Sequence, residues 1–127
     1  MPEDTPRKRR GGRSLDPANC MKLGFRITRV IHVEMKLLAD QRQDTLYALY
    51  TDALEHFLEY RKRGPVRYFQ PPMKRLAIPT SILVPRPLAD RVMVLCQQDQ
   101  RTLAAVVETT VIVYLHEHTN RPLSQPG

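Results

Sequence analysis

Met21-Lys-Leu-Gly-Phe-Arg-Ile27 is the segment from which the remaining organisation of the chain follows. Apolar residues alternate in it with basic or small residues, so the two kinds lie on opposite faces of an extended chain. The apolar face carries Leu23, Phe25 and Ile27, and the other face carries Lys22, Gly24 and Arg26. This alternation predicts a short strand, which needs a second strand to be stable.

Two helices are predicted after this strand. Thr28 is a favourable N-cap residue, and the apolar residues Ile31, Met35 and Leu38 follow it at helical spacing. A polar break at residues 42–45 comes next, and Thr45 is the expected N-cap of a second helix that runs to about residue 61. Gly64-Pro65 is a typical helix stop.

The same pattern returns 57 residues later, without a gap. Matched positions are Ile27 with Val84, Leu38 with Leu95, Thr45 with Thr102, and Leu58 with Leu115. Pro85 suits the first turn of a helix, and Leu88, Val92 and Leu95 repeat the earlier apolar spacing. The chain is therefore predicted to be a tandem repeat of one strand–helix–helix unit.

The local secondary-structure propensity of residues 106–113 contradicts this prediction. Val106-Val-Glu-Thr-Thr-Val-Ile-Val113 is rich in β-branched residues, which favour strands. The repeat predicts a helix instead, and burial can outweigh propensity. An α+β domain with residues 106–113 as a central strand is the alternative fold.

The net charge of +7 is unevenly distributed. Residues 1–26 hold seven Lys/Arg and three Asp/Glu, giving +4, and residues 61–75 hold six Lys/Arg and no acid, giving +6. The remaining residues hold seven basic and ten acidic residues, giving −3. Positive charge concentrated in an arm and a linker indicates a polyanionic partner.

Other chemistry has little support in the sequence. Cys20 and Cys96 are isolated and are expected to be idle thiols, and the four histidines lack the spacing of a metal site. There is no glycine-rich phosphate loop and no nucleophile elbow, so neither an enzyme nor a cofactor is expected. No apolar run could cross a bilayer and no secretory signal is present, which predicts a cytoplasmic protein without a membrane partner.

The repeated strand–helix–helix unit resembles the ribbon-helix-helix family of DNA-binding proteins. Within that family, length, duplication and basic flanks are similar to the TraY-like accessory proteins of plasmid conjugation and to the second proteins of agrobacterial VirC operons. The resemblance implies a mainly α fold with a two-stranded antiparallel ribbon, a duplicated β-α-α-β-α-α in one chain. It also implies a monomer that contains its own pseudo-dimer.

A two-stranded ribbon fits the major groove of double-stranded DNA, where side chains of its outer face can read bases. The expected readers are Lys22, Gly24 and Arg26 in the first strand, and Ser81 and Leu83 in the second. Leu83 can contact a thymine methyl group but cannot hydrogen-bond, and Pro79 suits an edge strand. An asymmetric DNA site is therefore expected.

Phosphate contacts are expected from the basic residues of the arm and from the ends of the helices. The candidates are Arg7, Lys8, Arg9, Arg10, Arg13, Arg42, Thr45, Lys74, Arg75, Arg101 and Thr102. Tyr68 and Phe69 in the linker are expected to pack against the protein.

The predicted organisation comprises a disordered basic arm (1–20), a first unit (21–62), a basic linker (63–78), a second unit (79–118) and a frayed tail (119–127). The resemblance implies an accessory factor in conjugative or T-DNA transfer, which assembles with a relaxase at a transfer origin or border. A transcriptional repressor or antitoxin, or a protein-interaction scaffold of the same fold, are the alternatives.

Overall fold

The structure of the protein is a computed structural model that describes residues 17–119. Its elements are strand β1 (Cys20–Thr28), helices α1 (Arg29–Arg42) and α2 (Leu46–Lys62), strand β2 (Ala77–Pro85), and helices α3 (Arg86–Asp99) and α4 (Leu103–Thr119). A short 3-10 turn precedes each strand, Pro17–Asn19 before β1 and Lys74–Leu76 before β2. The predicted class, mainly α with a two-stranded antiparallel sheet, is confirmed.

Both strands begin earlier than their predicted boundaries. Pairing starts at Cys20 opposite Pro85 and continues to Thr28 opposite Ala77, so one residue of the predicted arm and two of the predicted linker belong to the sheet. Thr119, assigned to the tail, is the last residue of α4. Residues 17–19 of the predicted disordered arm form the first 3-10 turn, and residues 1–16 and the tail from residue 120 lie outside the described residues.

The sheet packs its apolar face onto helices from both halves of the chain. Helix α4 lies against β1, helix α2 lies against β2, and α2 and α4 pack against each other. The most buried apolar side chains come from all of these elements: Ile27, Met35, Leu49, Leu54, Ile82, Val84, Val106 and Val107. Each half therefore supplies the helix that covers the other half's strand, and the two halves share one core.

Residues 106–113 are helical, which confirms the helix prediction and shows the alternative of a central strand to be wrong. Burial explains why propensity fails here, because every residue from 105 to 111 is buried. The buried threonines are satisfied without a sheet. The Thr110 hydroxyl donates to the Val106 carbonyl (2.8 Å), and the Thr109 hydroxyl accepts from the Phe69 N–H (2.9 Å).

Two of the three predicted threonine caps form. The Thr45 hydroxyl accepts from the Ala48 N–H (3.0 Å), and the Thr102 hydroxyl accepts from the Ala105 N–H (3.1 Å). Thr28 occupies the N-cap position of α1, but its side chain makes no capping hydrogen bond. Its hydroxyl donates to the carboxyl group of Glu108 instead.

Asp99 joins α3 to α2 and to the linker. The Arg61 guanidinium donates to both carboxylate oxygens of Asp99 (3.0 and 2.9 Å), and the Tyr68 hydroxyl also donates to this carboxylate. The hydrogen bond from Arg61 is the main reason that the pKa of Asp99 lies below its usual value. Tyr68 is packed down as predicted, whereas Phe69 is 37% exposed, so the prediction for that second ring is wrong. Phe69 sits at the surface while its backbone N–H is bound to Thr109.

Substitution of Asp99 by Asn should lower the free energy of unfolding at pH 7 by about 2 kcal/mol, since the charge-assisted bonds to Arg61 are lost. A folded-state pKa below the ordinary value of 3.8 means that this stabilisation is present above about pH 4 and is lost as the pH falls through the folded pKa. Urea unfolding at several pH values measures the effect. Asp90→Asn, an exposed position of α3, is the control; an equal loss in both variants would contradict the role of Asp99.

Candidate nucleic-acid interface

The solvent-facing side of the sheet is a narrow strip, which we call the ribbon face. It consists of alternate residues of the two strands: Lys22, Gly24 and Arg26 of β1, and Pro79, Ser81 and Leu83 of β2. All of them are exposed except Leu83, which is half-buried. The structure thus brings the five expected base readers together on one surface.

Register makes the ribbon face asymmetric. Gly24 lies opposite Ser81 at its centre, Lys22 lies opposite Leu83, and Arg26 lies opposite Pro79. Each cation of β1 therefore faces an apolar residue of β2. Positive charge and long hydrogen-bond donors lie along one strand, and the other strand offers a single hydroxyl.

Gly24 leaves the middle of the ribbon face bare, although the protein itself does not require this. A Cβ atom added at Gly24 would have no atom within 4 Å, and the residue does not have the positive φ that favours glycine. A residue with a side chain would therefore fit the fold. The consequence of glycine here is that an external surface can approach the backbone at the centre of the ribbon.

Helices α2 and α4 begin at the exposed residues Thr45 and Thr102, whose hydroxyls cap the first turns. The first backbone N–H groups of a helix point along its axis and carry partial positive charge, so these ends are suited to an anion. Lys74 and Arg75 are exposed in the 3-10 turn that leads into β2. Arg7, Lys8, Arg9, Arg10 and Arg13 lie outside the described residues.

Arg42 and Arg101, the two arginines beside these helix starts, contact aromatic rings. Arg42 donates to the Tyr114 hydroxyl (3.0 Å), which in turn donates to Asp52 (2.7 Å). Burial, followed by that bond to Asp52, raises the pKa of Tyr114 to about 12. Arg101 lies over the ring of Tyr68, 5.2 Å from its centroid. A phosphate would compete with these contacts, which the sequence did not reveal.

Buried polar residues beneath β1 were also missed by sequence reasoning. Glu108 accepts from the Thr28 N–H (3.1 Å) and hydroxyl (2.5 Å), and His32 is hydrogen-bonded to the Tyr50 hydroxyl (2.8 Å). Burial lowers the pKa of His32 and raises that of Tyr50. The sequence signal for a buried role of Glu108 was its position as the single charged residue in the run at residues 106–113.

Cys20 and Cys96 are both free and buried, as expected. Within residues 17–119, no three His, Cys, Asp or Glu side chains are grouped so that they could hold a metal ion. None of the helices in this part of the chain has the length and apolar character needed to cross a membrane. No protein-family model, curated protein or solved structure matches the chain.

Gly24→Ala should leave the free energy of unfolding unchanged or raise it by up to about 1 kcal/mol, because the added methyl group meets nothing and the unfolded chain loses freedom. Gly64→Ala is the matched comparison, since its Cβ also meets nothing but its φ is +156°. That variant should lose about 1 kcal/mol or more. Thermal unfolding of both variants measures this, and an equal loss in both would show that Gly24 has a structural role.

Proposed function

We propose that this protein binds double-stranded DNA sequence-selectively, with the ribbon face in the major groove, and that it has no enzymatic activity. The observation that carries the proposal is the arrangement of Lys22, Gly24 and Arg26 on one exposed strand of a two-stranded ribbon. A ribbon of this kind has the width of the major groove, where every base pair presents a distinct pattern of donors and acceptors.

The spacing of the elements supports a duplicated ribbon-helix-helix unit. Each of the strands and helices in the second half begins and ends 57 residues after its counterpart in the first half. The left-handed residues that end α1 and α3, Gln43 and Gln100, have the same spacing. A duplicated unit whose helices cover each other's strands makes an internal pseudo-dimer, so one chain is sufficient for one ribbon and we expect a monomer.

Recognition follows from the chemistry of the ribbon face. Arg26 can donate two hydrogen bonds to the O6 and N7 atoms of a guanine, and Lys22 can donate to the same kind of acceptor. Ser81 can hydrogen-bond to any base edge, whereas Leu83 can contact only a thymine methyl group. Because the cations belong to β1, the half of the DNA site that β1 contacts provides most of the discrimination between base sequences. The DNA site is therefore not a palindrome.

Phosphate contacts are assigned to residues around the ribbon. The starts of α2 and α4 at Thr45 and Thr102 present backbone N–H groups, and Lys74 and Arg75 add charge beside β2. Arg42 and Arg101 contribute if they leave their aromatic partners. The basic arm at residues 7–13 adds contacts that depend on charge rather than on base sequence.

The biological role that we propose is that of an accessory factor in conjugative or T-DNA transfer, acting with a relaxase. It follows from the likeness in length, duplication and basic flanks to the TraY-like and VirC-operon proteins. A repressor or antitoxin has the same ribbon chemistry. Gene neighbourhood separates these roles, since a relaxase gene beside this one supports transfer and a toxin gene supports the antitoxin.

A protein-interaction scaffold of the same fold is the second candidate, and two observations favour it. The strand β2 presents Pro79 and Leu83 rather than donors, and α1 exposes the apolar side chains of Val30 (63%), Val33 (44%) and Leu37 (56%) at helical spacing. A scaffold would shift random and selected duplexes equally in a gel, and only weakly at physiological salt.

Arg26→Ala should reduce the preference for a selected duplex over random duplex by roughly 10- to 100-fold, because a bidentate contact to guanine gives about 1–3 kcal/mol of discrimination. The duplex is one enriched by the wild-type chain from a randomised pool, and fluorescence anisotropy measures both affinities. Arg91→Ala is the control, since Arg91 lies beside Glu59 on the helices (4.0 Å) and carries the same charge. An equal fall for all duplexes with both variants would contradict a reading role.

Replacing Arg7, Lys8, Arg9 and Arg10 by Gln should flatten the salt dependence of binding. Each phosphate contact contributes about 0.9 to the slope of log K against log salt, so the slope should fall by up to about 3.6. The preference for the selected duplex should change little, because the arm contacts phosphates. An unchanged slope, measured by anisotropy at several salt concentrations, would show that the arm does not bind DNA.

A further inference from the structure

The two junctions between strand and helix have the same backbone conformation but different chemistry. Thr28 joins β1 to α1 with φ −58° and ψ 129°, and Pro85 joins β2 to α3 with φ −56° and ψ 139°. These residues are 57 positions apart. The ring of Pro85 fixes its φ covalently, so the β2 junction needs no partner to hold it. Thr28 has no such restraint and needs another one.

Glu108 provides a restraint at Thr28. Its side chain projects from the middle of α4, is 6% exposed, and accepts both the Thr28 N–H (3.1 Å) and the Thr28 hydroxyl (2.5 Å). The carboxylate therefore lies at the N-terminus of α1, where the helix dipole favours negative charge. Charge-assisted hydrogen bonds of this geometry are strong in a buried site. They tie the end of β1 to a helix from the other half of the chain.

The equivalent contact does not exist at the second junction. The residue 57 positions before Glu108 is Thr51, which is buried in α2, and its hydroxyl oxygen has no hydrogen-bond partner among residues 17–119. Pro85 has neither an N–H nor a hydroxyl to donate. A carboxylate at position 51 would thus be buried without a donor, which is strongly unfavourable. Threonine bonded to glutamate at one junction, and proline at the other with threonine at the position equivalent to the glutamate, are therefore two solutions to one geometric requirement.

We propose that Glu108 is a positioning residue for base reading. Its hydrogen bonds restrain the backbone at Thr28, just as the proline ring restrains the backbone at Pro85. This restraint fixes the direction in which the Arg26 side chain projects from the ribbon. Arg26 is two residues before the junction in β1. The polar restraint is found under β1, the strand with both cations of the ribbon face. This inference rests on the proposed DNA-binding function for its role, although the restraint itself can be tested without DNA.

The test exchanges one junction for the other. Thr28→Pro should leave the Glu108 carboxylate buried without donors, and Glu108→Thr should leave the Thr28 N–H without its acceptor. Each single variant should lower the Tm, on the order of 10 °C for Thr28→Pro. The double variant Thr28→Pro/Glu108→Thr reproduces the β2 junction and should regain most of the lost Tm. Thr28→Ser keeps both donors and should behave as the wild type.

Two further readouts separate positioning from simple stability. Hydrogen exchange of the Ile27 amide, which faces the partner strand because the neighbouring Thr28 N–H points to Glu108, should be about tenfold faster in Glu108→Thr and return towards the wild-type rate in the double variant. The preference for the duplex enriched by the wild type should fall about tenfold in Glu108→Thr, recover in the double variant, and stay unchanged in Thr28→Ser.

If the double variant regained neither the Tm nor the amide protection, the claim that Glu108 restrains the junction would be wrong, whether or not Thr28→Pro alone folds. If the double variant regained the Tm and the amide protection but not the preference for the enriched duplex, the positioning role of Glu108 would be wrong. If the wild-type chain enriched no duplex, the proposed function would fail and the positioning role with it, while exchange and Tm would still decide whether Glu108 restrains the junction.

Discussion

The antiparallel pairing of β1 with β2 is the constraint that organises this protein. Each strand has nine residues and is too short to persist alone, and the two are separated in the chain by two helices and a linker. Pairing them brings the two halves face to face. The helices can then bury the apolar side of the ribbon only by interlocking, which explains why α4 covers β1 and α2 covers β2.

Interlocking also determines which surface is left for function. The underside of the ribbon is occupied by core side chains such as Ile27 and Ile82, so the fully exposed residues of each strand are alternate ones. This surface carries the cations of β1 and the uncharged residues of β2. A similar difference is present among the buried residues, because Glu108 and His32 are ionisable whereas Thr51 and Ala89, each 57 positions away, are not. The two halves therefore share the order and lengths of their elements but differ in the chemistry of these residues.

Much of this arrangement could be predicted because its signals are local or periodic. The alternation around Phe25 predicted the first strand and its exposed face, and a comparison of the two halves predicted a helix at residues 106–113 despite their β-branched composition. Propensity alone would have given the wrong element there. The first half was decisive because its apolar pattern from Leu49 to Leu58 is clearly helical and is not obscured by β-branched residues.

What could not be predicted depends on contacts between residues far apart in sequence. Thr28 was expected to cap its own helix by accepting a backbone N–H, but its hydroxyl instead donates to Glu108, 80 residues away. Arg42 was expected to be available to phosphate, but Tyr114 from the last helix holds its guanidinium. The strand ends were misplaced by one or two residues, since pairing with a distant partner sets where a strand begins. Contacts of this kind produce no periodic pattern in the sequence.

Methylation interference on a duplex enriched by the protein tests most directly whether the ribbon face meets the major groove. Dimethyl sulfate modifies guanine N7, which is exposed in the major groove, and adenine N3, which is exposed in the minor groove. We expect guanine methylation to block binding, with the blocked guanines clustered in one half of the site because Lys22 and Arg26 share one strand. Interference at adenine N3 with none at guanine N7 would contradict a ribbon in the major groove.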